Sequence, residues 1–303
     1  MEICLLGTGG MMPLPDRWLT SLMVRHGGRS LLIDCGEGTQ IALKEKKWSS
    51  AHIDAILITH CHADHVSGLP GFLLLMGNSG RKEPVMLIGP QGLPAVIDAV
   101  RTVAPELPFE LLCTELTEPF CRMEVSGCRI EAFRVQHSVP CYGYSVAVPR
   151  AGRFMPEKAR ALGIPQPLWG RLQRGEAVED GGVTYAPDAV LGAPRKGVKV
   201  TYCTDTLPLP VIAQNAAGAD LLILEGMYGD PAKQDKAREK LHMTMQDAAR
   251  LAAQAGVPEL WLTPYSPAMT DPQEHMEAVR AIFPGAIAAQ DGQTKELRFT
   301  KNG

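Results

Sequence analysis

The stretch Thr59-His60-Cys61-His62-Ala63-Asp64-His65 places four metal-competent side chains within six residues. Three imidazoles and a carboxylate packed this closely at the end of an apolar run are hard to explain as structure. Core histidines occur singly, and a histidine-rich surface would not follow a buried strand. The chemistry they fit is metal binding. The nitrogens of His60 and His62 suit one borderline cation such as zinc, while Asp64 and His65 sit just beyond and can turn to a second ion. Cys61 lies between two of these residues, but along an extended turn it points away from its neighbours and reads as a buried thiol.

Such a cluster needs a scaffold to hold it, and the chain supplies alternating strand and helix patterns. The apolar run 55–59 ends at the histidines. Residues 3–6 form a short apolar run closed by Gly7-Thr8-Gly9-Gly10, a buried strand entering a glycine turn. Residues 21–24 and 30–34 read as strands joined by Gly27-Gly28, a hairpin signal. Helical patterns follow at 36–43, 69–76 and 92–103, with a strand at 85–88. Further strands are expected at 128–135, 142–148, 199–203, 220–224 and 259–262, and a long helix at 244–255 closed by Gly256. Alternation in both halves predicts two sheets sandwiched between helices.

Bulk composition sets limits. Hydrophobic residues make up 45% and charged residues 21% of the 303, an ordinary globular balance that argues against extended disorder. No apolar run approaches the ~18 residues a spanning helix needs, and Met1-Glu2-Ile3-Cys4 lacks the basic-then-apolar pattern of a signal peptide. The eight cysteines are scattered, with no C-x-x-C pair, as buried reduced thiols would be. The expectation is a soluble cytoplasmic protein. The net charge of -3 argues mildly against a nucleic-acid enzyme, but totals hide local asymmetry. Between 150 and 199 the chain carries Arg150, Arg153, Lys158, Arg160, Arg171, Arg174, Arg195, Lys196 and Lys199 against five acids. Its prolines leave room only for short helices. Such a run is either a solvated insertion or an arm that holds a phosphate backbone.

His-x-His-x-Asp-His after a strand is similar to the signature of the metallo-β-lactamase superfamily. The continuation Val66-Ser67-Gly68-Leu69-Pro70-Gly71 and the early stretch Asp34-Cys35-Gly36-Glu37-Gly38-Thr39-Gln40 resemble, more narrowly, the ribonuclease Z family. The resemblance runs from Leu5-Leu6-Gly7-Thr8-Gly9 to Leu262-Thr263. It implies an α/β chain of the metallo-β-lactamase fold, an αββα sandwich of two mixed sheets flanked by helices. The chain is then one domain over 1–303 with an exosite-like arm inserted at about 150–197. The implied activity is a zinc-dependent endoribonuclease that removes the 3′ trailer of precursor tRNA, as a cytoplasmic homodimer. Two ions are implied, zinc or manganese, the first on His60, His62, His137 and Asp205, the second on Asp64, His65 and Asp205. Taken alone, His137 or Asp205 is an ordinary polar residue at a strand end. Each gains weight because a metal cluster needs partners from distant segments. Asp64 counts among the catalytic residues as well, with His242 in His242-Met243-Thr244 as general acid and Glu225 in Leu224-Glu225-Gly226 orienting it. Arg17, Arg153, Arg171 and Arg174 are the implied substrate contacts. His26, His52 and His275 read as surface residues.

The chain departs from the family pattern in three places. Pro264, in Leu262-Thr263-Pro264-Tyr265-Ser266, stands where the family has its last ligand histidine, which leaves the second ion with three protein ligands. Leu224 replaces the histidine before the family's glutamate. In the loop Pro13-Leu14-Pro15-Asp16-Arg17-Trp18, Arg17 survives, but Pro15 and Trp18 replace a lysine and an asparagine. Two rivals remain open: a hydrolase of the same fold acting on a small phosphodiester or ester, and an RNA-binding homologue impaired by Pro264.

Overall fold

The computed structural model describes residues 1–300. Two seven-stranded mixed sheets form its frame. The first is built from β1 (Glu2–Gly7), β2 (Ser21–His26), β3 (Arg29–Ile33), β4 (Ile53–Leu57), β5 (Val85–Pro90) and β6 (Leu111–Leu116). The second holds β7 (Phe120–Val125), β8 (Cys128–Val135) and β9 (Cys141–Arg150). A separate two-stranded hairpin pairs β10 (Val178–Asp180) with β11 (Val183–Tyr185). The second sheet is completed by β12 (Arg195–Cys203), β13 (Leu221–Leu224), β14 (Leu260–Leu262) and β15 (Ala286–Ala288), and β16 (Thr294–Glu296) closes the first. The orders are β16-β1-β2-β3-β4-β5-β6 and β15-β14-β13-β12-β9-β8-β7.

Each sheet joins an antiparallel part to a parallel part, and sequence explains the switch. Strands β1 to β3 pair antiparallel through the expected hairpin, where Gly27 and Gly28 both take positive φ. From β3 to β6 the pairing is parallel, as it is from β12 to β15. Parallel strands covered on both faces read as continuous apolar runs, and β4 (IDAIL) and β13 (LLIL) are buried at every residue.

The crossover helices lie outside the sheets. Those of the first are α1 (Thr39–Glu45), α2 (Ala63–Val66), α3 (Leu69–Asn78) and α4 (Leu93–Val103). Leu43, Phe72, Leu73, Met76 and Ile97 from these helices pack with Leu32, Ile56 and Leu87 of the sheet. Two short helices, α5 (Pro156–Ala161) and α6 (Gln166–Gln173), fall in the basic segment. The second sheet is covered by α7 (Pro210–Ala216), α9 (Met245–Ala255) and α10 (Met276–Ile282), after the short α8 (Gln234–Glu239). The inner faces meet where Tyr144 Oη donates to the Ile58 carbonyl at 2.7 Å and the Tyr142 N–H to the Thr59 carbonyl at 2.9 Å.

The order of elements follows the sequence expectation, with identifiable exceptions. Strands β6 and β7 were not anticipated; they are largely exposed and carry polar residues without clean alternation. Strands β15 and β16 have three residues each, too few for a period to show. The helix expected from residue 36 starts at Thr39, because the turn 36–38 is held by a close backbone crossing described below.

By packing, the chain separates into two compact units, Met1–Ala147 with Lys199–Leu297, and Val148–Val198 with the segment that begins at Arg298. The second unit has its own apolar cluster of Ala159, Ile164, Leu172, Val178 and Val190, with Phe154 and Trp169 packed on it. The basic segment is therefore folded. No described helix is long and apolar enough to cross a membrane, and all eight cysteines are free thiols.

Candidate metal centre

The chemistry-bearing residues gather at the carboxyl ends of strands, where open α/β sheets place their ligand sites. His60 and His62 follow β4, Asp64 and His65 ride on α2, His137 follows β8, Asp205 follows β12 and Glu225 follows β13. His242 leads into α9. There Thr244 Oγ1 accepts the Asp247 N–H while the Asp247 carboxylate accepts the Thr244 N–H, a capping box that fixes the chain two residues beyond His242.

Six side chains form one nest. Asp205 Oδ2 lies 3.8 Å from His60 Nε2, 3.8 Å from His65 Nε2 and 3.9 Å from His137 Nε2. His62 Nδ1 lies 3.2 Å from His137 Nε2, and Asp64 Oδ2 3.8 Å from His65 Nε2. Donors 2.0–2.1 Å from a tetrahedral ion are separated by roughly 3.3 Å, so these spacings suit metal ligation. The groups of donors within 4.8 Å of one another are His60 with His62 and His137, His60 with His65 and Asp205, and His137 with Asp205 and His242.

Burial and electrostatics test whether a cation fits. His60 Nε2, His65 Nε2 and Asp205 Oδ1 are buried atoms with no hydrogen-bond partner. An orphaned buried polar atom costs about 1–3 kcal/mol, and a metal ion would satisfy all three. Burial, with the neighbouring histidines, pushes His60 well below the usual histidine value, so its ring is a neutral, ligand-competent imidazole. Burial likewise lowers His137. His65 differs: burial pulls it down, but Asp34, Asp205 and Asp64 outweigh that and raise it to about 9. Carboxylates that favour positive charge at this ring would also favour a metal cation beside it. Asp205 is kept ionised because His65, His242 and His137 outweigh its burial.

Asp34 is the functional residue that sequence reasoning did not assign. It is fully buried after β3 in the left-handed conformation, at φ 61°. Its carboxylate accepts the Thr59 N–H at 2.8 Å and the Thr59 hydroxyl. It also accepts the His65 Nδ1–H at 2.8 Å, which fixes the tautomer and leaves Nε2 free to ligate. The signal was present as an acid closing the apolar run of β3, but its role needs the fold. Gly36 and Gly68 let α2 approach: a Cβ on Gly36 would lie 2.5 Å from the Asp64 carbonyl, and one on Gly68 2.2 Å from the Gly36 carbonyl. Asp64 is steadied by the Met11 N–H at 2.8 Å, delivered by the glycine turn after β1.

Beside the nest, His242 Nδ1 donates to Glu225 Oε2 at 2.9 Å, and Glu225 Oε1 accepts the Thr206 N–H at 2.8 Å. Burial lowers His242, but Glu225 outweighs it and raises the imidazole to about 9. Burial raises Glu225 despite His242. Leu224 is fully buried among the core residues of the second sheet.

A cavity of about 600 Å³ opens over the nest, lined in part by His62, Asp64, His137, Asp205 and His242. His275 also lines it, against the expectation of a plain surface residue. Cys61 takes no part in the donor groups and packs against the first core cluster, its thiol pushed up to about 11 by burial. Pro264 is buried, and its loop is held by backbone bonds from Gly226 N–H to the Pro264 carbonyl and from Tyr265 N–H to the Thr8 carbonyl. Arg17 does not line the cavity; its guanidinium donates to the carbonyls of Met269 and Thr270 and lies over the Tyr265 ring. In the second unit, Arg171 and Arg174 both bond the Glu176 carboxylate, at 3.0 and 2.9 Å, and Arg153 lines a separate cavity of about 500 Å³ with Phe154 and Arg195.

Two mixed sheets flanked by helices, with a histidine–aspartate nest at their carboxyl ends, define a metal-dependent hydrolase of the metallo-β-lactamase fold. A ribonuclease Z of Lachnospira eligens is 56% identical over 303 residues and covers 100% of both chains. One of Lachnoclostridium phytofermentans is 55% identical over 302 residues, covering 100% of this chain and 99% of its own. The chain belongs to the ribonuclease Z family. The structure of the short form of human tRNase Z matches with a TM-score of 0.72 at 25% identity, over 99% of this chain and 100% of that one. The metallo-β-lactamase-fold protein YhfI of Bacillus subtilis matches at 0.69 and 18% identity over 97% and 98%, a likeness of fold alone. A family model described as anti-Pycsar protein Apyc1 matches residues 1–97.

Proposed function

We propose that this chain cuts precursor tRNA at its 3′ trailer as a zinc-dependent endoribonuclease, leaving a 3′-hydroxyl on the tRNA side. The observation that carries this reading is the buried nest of orphaned donors beside the His242–Glu225 pair. His60 Nε2, His62 Nδ1, His137 Nε2 and Asp205 would hold a first ion, and Asp64, His65 and Asp205 a second, with Pro264 leaving that site open. When bound, zinc, or manganese in its place, would offset the negative charge on the phosphoryl oxygens and provide a water-derived nucleophile near neutral pH.

The chain's own groups do the rest. His242, with Nδ1–H committed to Glu225, keeps a second proton on Nε2 near neutrality because its pKa is raised to about 9. That proton goes to the leaving oxygen. Glu225, anchored by Thr206, holds the ring in place. Asp34 orients His65, and Asp64 shapes the open side. Arg153, Arg171 and Arg174 of the folded basic segment grip backbone phosphate; exposed pairs such as those with Glu176 are weak and exchange readily for phosphate. The enzyme acts as a homodimer in the cytoplasm, where its substrate is made.

The alternative, a small phosphodiester or ester, is favoured by one observation: Arg17 is spent on the carbonyls of Met269 and Thr270 instead of facing the cavity. A cleavage assay on precursor tRNA with zinc-loaded protein separates the two. A cut next to the discriminator base, abolished by chelation, supports the endonuclease. No cut, with an aryl phosphodiester still hydrolysed, selects the small substrate.

A further inference from the structure

The catalytic cavity is wider than one phosphate requires, and the wall beyond the nest is charged. Its lining includes Lys233, Lys236 and Lys240, from the segment between Glu225 and His242. Two acids share that wall: Asp230 Oδ1 accepts the Ala232 N–H at 2.9 Å and caps its own turn, and Glu239 pairs with Lys240 at 3.3 Å. Lys233 and Lys236 make no ion pair among the described residues, so their ammonium groups at the cavity wall are available to an anion. His275 is an independent sign. Its half-buried ring lines the same cavity with no hydrogen bond or ion pair among the described residues. The ring packs so closely over Gly229 that a Cβ there would meet its Cδ2 at 2.0 Å. A polar ring seated with this care and left without a protein partner is available to a ligand.

We infer that Lys233, Lys236 and His275 form a phosphate subsite of the catalytic cavity that takes the trailer-side backbone next to the scissile phosphate. This rests on the proposed endonuclease reading for the identity of the strand. The chemistry is that of cations and a ring N–H converging on an anionic backbone, which brings affinity and register without sequence information. It suits trailers of varied sequence.

The test is the fluorescence anisotropy of a 3′-labelled, 5′-phosphorylated oligoribonucleotide, the chemical form of the trailer product, titrated with zinc-loaded full-length protein. In K233A/K236A the affinity is expected to fall about tenfold or more, and the slope of log affinity against log salt to flatten by about 1.4, at about 0.7 for each lost contact on a single strand. K233R/K236R is expected to retain wild-type binding, and His275→Ala to weaken it about threefold. Unchanged affinity in K233A/K236A, or no binding by the wild type, would overturn the subsite. Intact trailer binding by a protein that cannot cut precursor tRNA would instead sink the proposed function, so the two failures are distinguishable.

Discussion

The two halves of the nest, as the proposed ion sites divide it, are built on different principles. The first half takes three imidazoles from two separate strand ends, His60 and His62 after β4 and His137 after β8, and closes on Asp205. Burial lowers His60 and His137, so the protein itself presents lone pairs there. The second half has Asp64, His65 and the shared Asp205, with buried Pro264 offering no donor atom. It compensates from behind: Asp34 fixes the His65 tautomer, leaving Nε2 to ligate, and its carboxylate favours a cation beside the ring. A half with a single imidazole would depend more on the group that orients it.

That contrast can be broken at the point the halves share. Asp205→Asn removes the charge facing all three Nε2 atoms, and turnover is expected to fall by more than about 10⁴-fold with loss of both ions, read by metal analysis and cleavage rate. His242→Ala is expected to lower turnover by about 10²–10⁴-fold with metal content intact. Parallel loss of metal would make His242 a ligand, a role its place beside His137 and Asp205 also permits. The pH profile sharpens the point. A raised imidazole is protonated below its ordinary value of about 6.5 and loses that proton as pH rises through about 9, so activity should decline there. Glu225→Gln removes the main attraction, and the alkaline limb should move down toward the ordinary value. An unmoved limb would assign the acid elsewhere.

Asp34→Asn is expected to act mainly on the second half, where it bonds His65 directly, and only through Thr59 on the first. The weaker ion should bind about 10–100-fold less tightly while the first stays in place, measured by competitive chelator titration. Equal weakening of both would mean that Asp34 holds the whole nest. The smallest effect is local: Thr244→Ala opens the capping box of α9 and should cost about 1 kcal/mol of stability in denaturant unfolding, with a modest loss of turnover through His242.

How much of this was legible in the sequence depends on how local each signal is. His60, His62, Asp64 and His65 are contiguous and announce their chemistry. His137, Asp205, Glu225 and His242 were identified through family resemblance, because each alone is a polar residue at a strand or helix end. Asp34 opens the run Asp34-Cys35-Gly36-Glu37-Gly38, yet its role needs the contact between the end of β3 and α2. His275 sits in the polar run Asp271-Pro272-Gln273-Glu274, which hides its place in the cavity. In the frame, the buried parallel strands were plain, whereas β6 and β7 escaped because exposed strands lack the pattern that burial imposes. The apolar cluster of the basic segment was masked by its charge.

The most direct measurement is a stepwise chelator titration of zinc-loaded protein, with bound metal and precursor tRNA cleavage followed in the same samples. Two ions per chain should leave in separate steps, the second-half ion first, and cleavage should vanish with that first step. Simultaneous release, or full cleavage after the weaker ion has gone, would contradict the division of the nest into a self-sufficient half and an assisted one.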